Sequence, residues 1–449
     1  MRSRGSYRNY LLSLLLVILA FNYVDRLALG LMLQEIKGDL HLTDTQLGFL
    51  TGIAFALFYS IMGIPIARWA DRGNRVLIIS LTLAVWSVMV SLCGRASDFL
   101  QLLLARVGVA AGEAGCIPPA HSLIADYFTR SERPRAVARY MLGGPLACVI
   151  GFFLAGWLNE LYGWRITFML LGVPGMVLSA LTWLTVREPR RAGLSRDAIA
   201  GVTQQTRGLS NEDRSATQPG LFEVLNTLWW NPTFRHLLFS YSVYLLFGYG
   251  ISTWLPAFLI RSFGLQTGVI GIALALIWGA GGIVGTWCGG ELASRYAAHQ
   301  ERLQLRAMAL AHCVFGIFSI GTYLAPNLYL SLGLMTLSAV GTNATNGPLF
   351  ATIQTLVPQN MRAISIALIY LVANLIGMGI GPLVVGVLSD ALRAWAGEDS
   401  LRYALLAVSP GFFWVAWHVW RASSTVTQDL QKLQTAHRLD SLTDVSFTC

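Results

Sequence analysis

Charge is scarce in this chain. Only 12% of its 449 residues are charged, whereas 55% are hydrophobic; soluble domains carry about 25% charged residues. The shortage excludes a soluble globular protein, because long apolar runs recur along nearly the whole sequence. Lysine is scarcer still: Lys37 and Lys432 are the only lysines among 32 basic residues. Without a G-x-x-x-x-G-K segment there is no phosphate-cradling loop, so a nucleotide-driven pump is not expected. The six cysteines (Cys93, Cys116, Cys148, Cys288, Cys313 and Cys449) lack metal-ligand spacing, which argues against a zinc site or disulfide framework. No clustered Ser, His and Asp supply a nucleophile and its base, so neither an enzyme nor a cofactor or metal site is expected.

What remains is apolar and periodic. A membrane helix needs about 20 mainly apolar residues. Such runs fall at 10–33, 46–70, 76–96, 98–125, 135–159, 164–186, 233–260, 267–294, 303–324, 327–355, 361–390 and 399–421. The expected fold is therefore an all-α membrane protein of twelve transmembrane helices. The first run is too long for a signal-peptide core and reads as a retained helix. Residues 187–232 are rich in Ser, Thr, Gln and Arg and read as a cytoplasmic linker between two six-helix halves, 1–186 and 233–421. Within that linker, "LFEVLNTLWW" (221–230) suits a short interfacial helix. Residues 422–449 form a polar cytoplasmic tail, expected to be poorly ordered.

The net charge of +9 invites a nucleic-acid reading until the arginines are located. They cluster between alternate runs, as at Arg68, Arg72 and Arg75, at Arg130, Arg133, Arg135 and Arg139, and at Arg295, Arg302 and Arg306. On the opposite side lie only Lys37, Arg95, Arg165, Arg261, Arg393 and Arg402. This asymmetry puts both termini in the cytoplasm and needs no nucleic acid. The halves also echo each other. "ARWADR" (67–72) resembles "GELASR" (290–295), and "GFFLAGWLNE" (151–160) resembles "GPLVVGVLSD" (381–390).

Four charges fall deep inside predicted spans of the first half. Asp25 and Arg26 are adjacent on helix 1, while Arg106 and Glu113 are two turns apart on one face of helix 4. Helices 1 and 4 run in opposite directions. Counting about 1.5 Å per residue puts Asp25, Arg26 and Arg106 at similar depth, with Glu113 nearer the centre. Intramembrane charges are costly and mark functional sites by default. Asp25 and Glu113, with Arg106, are the proton-coupling candidates. Arg26 is expected to keep its guanidinium free for an anionic headgroup, since Arg106 can occupy Asp25. Salt bridges that merely orient helices are the plainer alternative. Gly108, Gly112 and Gly115 permit close helix approach, and Pro118 and Pro119 are expected to break the ladder. His121 can face the same cavity, although a lone histidine there more often packs.

The second half offers neutral polar groups, among them Thr342, Asn343, Thr345, Asn346 and Asn374, with "GTNATNGP" (341–348) expected to unwind helix 10 in part. Tyr59, Trp254 and Tyr370, with Phe58 and Tyr241, are the aromatic candidates. A cavity with one charged and one apolar wall suits an amphipath better than a sugar. Arg26, Glu113, Tyr59, Trp254, Asn343 and Tyr370 are therefore the substrate-binding candidates.

Parallel six-helix halves resemble the architecture of the major facilitator superfamily. The loop "ARWADRGNRV" resembles its signature, with Asp71, Arg72 and Arg75 matching and Ala67 and Asn74 departing. That resemblance implies a cytoplasmic latch in which Asp71 holds the outward-open state. More narrowly, "NYVDR", "RVGVAAGEAG", "ADYF" and "NLIGMGIGPLVVGVLSD" resemble the Spinster branch. The branch implies a proton-coupled transporter of lysophospholipid or sphingosine-phosphate-like molecules, working by alternating access, with its site between the halves; a monomer is expected. A proton-coupled drug or organic-anion exporter is the alternative. The preference for arginine over lysine suggests a GC-rich bacterial genome, and hence an inner membrane. Lysolipids and membrane lipids are the expected partners, and the proton the coupling ion.

Overall fold

The computed structural model describes residues 4–129, 132–189, 226–297, 300–357 and 361–446. Most of the linker lies outside this range, as do residues 221–225 of the suggested interfacial helix; residues 226–229 are helical. Every regular element among the described residues is a helix. Nine helical stretches among them are long and apolar enough to cross a membrane. The windows Arg135–Thr185 and Leu368–Leu433 each hold two crossings, and the interrupted run 328–355 supplies another. The twelve-helix expectation is met.

In chain order, α1 is Arg4–Leu40. The next helix, α2, spans 44–72 with a break at Gly52, and α3 is Arg75–Cys93. A turn at 114–116 divides α4 (99–127). Gly163, at φ 73°, turns the chain between α5 (133–162) and α6 (164–185); without a Cβ it adopts this left-handed conformation at no steric cost. Pro232–Phe263 is α7. Helix α8 (267–296) contains a π-helical turn, Ala275–Ala280, and α9 is Glu301–Leu324. Thr345 interrupts α10 (328–355), α11 is Arg362–Ala396, and α12 runs over 400–446 with a break at 409–410.

Two details differ from expectation. The ladder of α4 breaks before the prolines, which occupy the first turn of the second segment, Ile117–Tyr127. Proline fits there because the first-turn N–H groups have no helical partner in any case. Helix α12 continues to Ser446 rather than ending near Ala422. Its extension buries Ala422, Val426 and Asp429 at helical spacing. The Asp429 carboxylate accepts from the Thr233 backbone N–H (3.1 Å) and hydroxyl (2.7 Å) at the start of α7. A polar sequence thus gains one buried stripe and supplies a cap to α7, which is enough to continue the helix.

Contacts divide the chain into two compact units that do not follow its order. One comprises Met1–Glu212, Ser252–Gly279 and Pro382–Leu401; the other comprises Asp213–Ile251, Ala280–Gly381 and Arg402–Cys449. In the first, α1 packs on α5 and α6, and α3 packs on α4 and α6. Gly112 allows the α3–α4 contact: a Cβ there would lie 2.7 Å from the Trp86 backbone nitrogen. In the second unit, α9 packs against α10 and α12, and the latter half of α8 packs against α10.

A clamp on the α4–α5 loop gives a pH prediction. Glu132 accepts from the Thr129 N–H (3.0 Å) and hydroxyl (2.8 Å) and pairs with Arg8. These contacts, Thr129 first and Arg8 after, pull its pKa down to about 2. A depressed carboxylate stabilises the fold above its unfolded pKa and loses that contribution as pH falls through its folded value. Hydrogen-exchange protection of the Thr129 amide, corrected for intrinsic rate, should therefore be present near pH ~6 and lost near pH ~2. Glu132→Gln should remove the difference. Equal protection of the wild type at both values would show that the clamp does not depend on the charge.

Candidate functional site

Two ion pairs join α1 to α4 inside the first unit. Arg106 Nη1 donates to Asp25 Oδ2 at 3.0 Å. Arg26 Nε donates to Glu113 Oε2 at 2.7 Å, and its Nη2 reaches the same oxygen. Asp25, Arg106 and Glu113 are 1%, 2% and 0% exposed. The four charges cancel, which is how such a cluster survives burial. The Arg26 guanidinium also lies 4.6 Å from the Phe55 ring centroid, 5.0 Å from Tyr59 and 5.2 Å from Tyr23. Phe55 and Tyr59 stack on each other, and Arg106 faces Phe55 as well.

Each carboxylate uses one oxygen for a guanidinium. Asp25 Oδ1 and Glu113 Oε1 are buried and accept no hydrogen bond among the described residues. One turn before Arg26, Asn22 is fully buried with neither side-chain polar atom paired there. A buried polar atom without a partner is costly. The two open carboxylate oxygens are places where a proton lowers that cost.

The expected pairing of Asp25 with Arg106 is present, but the expectation of a free Arg26 is corrected. A long flexible side chain lets Arg26 reach Glu113 although the two were counted to different depths. Tyr59 joins the cluster. Trp254 departs from expectation: it is fully buried, its indole N–H donates to the Pro382 carbonyl at 2.9 Å, and it offers no open surface to a ligand. Asn343, in the second unit, donates to its own helix at the Ala339 carbonyl, 2.8 Å away. Tyr370 there is partly exposed, stacks on Phe350 with centroids 5.0 Å apart and meets Tyr241 edge-on. His121 packs edge-on against Tyr140.

Among the latch residues, the side chain of Asp71 lies outside those described, and Arg72 is exposed. Arg75 is buried and binds Asp126 of "ADYF" at 2.6 Å and Glu188 at 2.5 Å. One guanidinium thus bridges two carboxylates and ties α3 to the end of α4 and to the chain leaving α6.

Sequence reasoning missed a second buried cluster, at the opposite end of the helices. The Asp44 carboxylate accepts from Lys37 (2.6 Å), from both terminal nitrogens of Arg261 (2.7 and 2.8 Å) and from Ser389 (2.7 Å). Gln34 holds Arg261 Nε at 2.6 Å. Beside it, Asp390 at the end of α11 accepts from the Asp44 and Thr45 backbone N–H groups, at 3.1 and 2.7 Å, and so caps α2. Glu160, its counterpart in the sequence repeat, accepts from the Gly268 N–H at 2.8 Å and caps α8 in the same way. The preceding residue helps each time: Asn159 bonds Thr267 and Ser389 bonds Asp44. The repeated "LNE" and "LSD" were the available signal, because an acid at a helix amino end is electrostatically favoured.

The Major Facilitator Superfamily pattern matches residues 15–420, so the chain belongs to that superfamily: it is an integral membrane transporter of small molecules and not an enzyme. The chain is 32% identical over 415 residues to an MFS-type efflux pump of Mycolicibacterium smegmatis, with 91% of each covered. It is 27% identical over 450 residues to protein spinster homolog 1 of Xenopus tropicalis, covering 91% of this chain and 80% of that one. Its fold is similar, with a TM-score of 0.83 at 29% identity, to the inward-facing, unoccupied crystal structure of a bacterial homolog of the human lysosomal transporter Spinster. That likeness covers 94% of this chain and 98% of the other. The resemblance to the Spinster branch is therefore met.

Proposed function

We propose that the chain is a proton-coupled transporter of an anionic, lipid-like amphipath, working by alternating access from a bacterial inner membrane with both termini in the cytoplasm. The carrying observation is the α1–α4 cluster with its two open carboxylate oxygens. A proton on Glu113 weakens its hold on Arg26. The released guanidinium, still bordered by Tyr23, Phe55 and Tyr59, can then take an anionic headgroup. The Glu113 carboxylate and the substrate thereby compete for one arginine, and a proton on Glu113 favours the substrate, which links the two. The lipid reading rests on the likeness to Spinster proteins. The loop at 71–75 is retained as the cytoplasmic latch, with Arg75 anchoring its base. A drug or organic-anion exporter is the second reading, favoured by the likeness to a mycobacterial efflux pump.

Binding of a lysophospholipid series to the purified protein tests the assignment. Affinity should fall by up to about 0.8 kcal/mol for each buried methylene removed. Arg26→Lys should lose much of the binding although it keeps the charge, because a lysine lacks the planar fork that fits a phosphate, and Arg26→Ala should lose nearly all. Affinity that ignores both chain length and residue 26 would sink the lipid reading. Displacement of lysolipid by drug-like cations or organic acids, but not by other lysolipids, would favour the second.

A further inference from the structure

A second candidate binding site lies in the other unit, where α9 begins beside the extended part of α12. The cavity there measures about 540 Å³, within the range of small-molecule sites. Arg302, Arg306, Thr427 and Gln431 supply polar groups, and Val426 and Leu430 an apolar wall. Among the described residues neither arginine has a carboxylate partner. Arg306 lies instead over the Trp420 ring, 5.3 Å from its centroid. That contact sets the register of the antiparallel helices and leaves the guanidinium edge available.

The surroundings say what kind of anion fits. Leu303, Leu310 and Ile317 are exposed and lie seven residues apart, so they form one apolar stripe down α9. Trp417 and Trp420 are half exposed on the facing part of α12. Tryptophan at this level and arginine above it mark the boundary between lipid and water. The polar cavity therefore opens onto an apolar track of membrane depth. Glu301 lines the same cavity and opposes a multiply charged headgroup.

We propose that this cavity holds the headgroup of a monoanionic bilayer phospholipid of the phosphatidylglycerol type. Arg302 and Arg306 pair its phosphate, and one acyl chain lies along Leu310 and Ile317. The occupant is a resident lipid of the leaflet on the side of the termini, distinct from the transported amphipath at Arg26.

Titration of the full chain in neutral detergent, read by native mass spectrometry, tests this with phosphatidylglycerol and phosphatidylcholine of matched chains. Phosphatidylglycerol should bind preferentially. The double variant Arg302→Gln/Arg306→Gln should bind it about 30-fold more weakly, from roughly 1 kcal/mol for each basic residue at 1.4 kcal/mol per tenfold. Arg306→Lys, which keeps the charge but loses the planar fork and the ring stacking, should weaken binding less than the double variant does, and this milder variant guards against misfolding of the double. Arg139→Gln, an exposed arginine of the other unit, should change nothing. Undiminished binding by the double variant would overturn the site, as would equal binding of phosphatidylcholine. Displacement by glycerol phosphate alone would make it a free-anion site. Displacement by lysophosphatidylglycerol at equal affinity would make it a substrate site. Either would overturn the resident-lipid reading.

Discussion

Asp44→Ala should open the end of the molecule that carries Lys37 and Arg261, the end placed outward in our proposal. Asp44 is 1% exposed and is the shared counter-charge of two cations that are themselves almost buried. Removing it leaves Lys37 and Arg261 facing each other without a counter-charge. Breaking a buried pair in this way costs about 3–5 kcal/mol, and the molecule can recover much of that by letting water in. The population open at this end should rise by about 10²–10³-fold at 1.4 kcal/mol per tenfold. Spin labels at Ser97 and Glu398, both exposed at this end, would report the change as a longer, broader distance distribution. Asp44→Asn, which keeps the shape, separates charge from packing and should show most of the effect. An unchanged distribution in both variants would reduce the cluster to passive packing.

The second large effect is expected at Glu113. Glu113→Gln fixes the side chain in a neutral form, so its occupancy no longer responds to pH. Uptake driven by an imposed pH gradient in proteoliposomes should fall by about tenfold or more, a coupling energy of the usual size. Substrate exchange with no gradient should persist, because exchange does not require the proton to move. Asp25→Asn should act in the same direction. A variant that loses exchange and gradient-driven uptake equally would show a structural rather than coupling role. Retention of the wild-type pH response by both variants would remove these acids from the mechanism.

The fold was legible because membrane helices announce themselves by length and composition. The Asp25–Arg106 pair was legible for a related reason. Two antiparallel helices of fixed rise convert sequence position into depth. Depth alone does not give the rotation of each helix or the reach of a side chain, so the Arg26–Glu113 bond was missed. The Asp44 cluster was hidden by a different difficulty. Its members come from the ends of α1, α2, α7 and α11, and singly each reads as an orientation charge. The error at α12 came from equating polarity with disorder. One stripe of Ala422, Val426 and Asp429 was enough to continue the helix.

The two acid caps also set where this end of the protein tolerates change. Glu160 and Asp390 accept from main-chain N–H groups, yet the donor positions are constrained too: a Cβ on Gly268 would collide with the Glu160 carboxylate, and Asp44 is itself the centre of the buried cluster. The donors are built into the backbone, while the acceptors are two replaceable carboxylates. A side chain at residue 268 therefore crowds the carboxylate that caps it, a change at residue 44 removes the cluster's counter-charge, and a change at residue 160 or 390 removes a cap outright. Vulnerability at this end is thus shared by both sides of each contact, at corresponding places of the two echoed segments, 151–160 and 381–390.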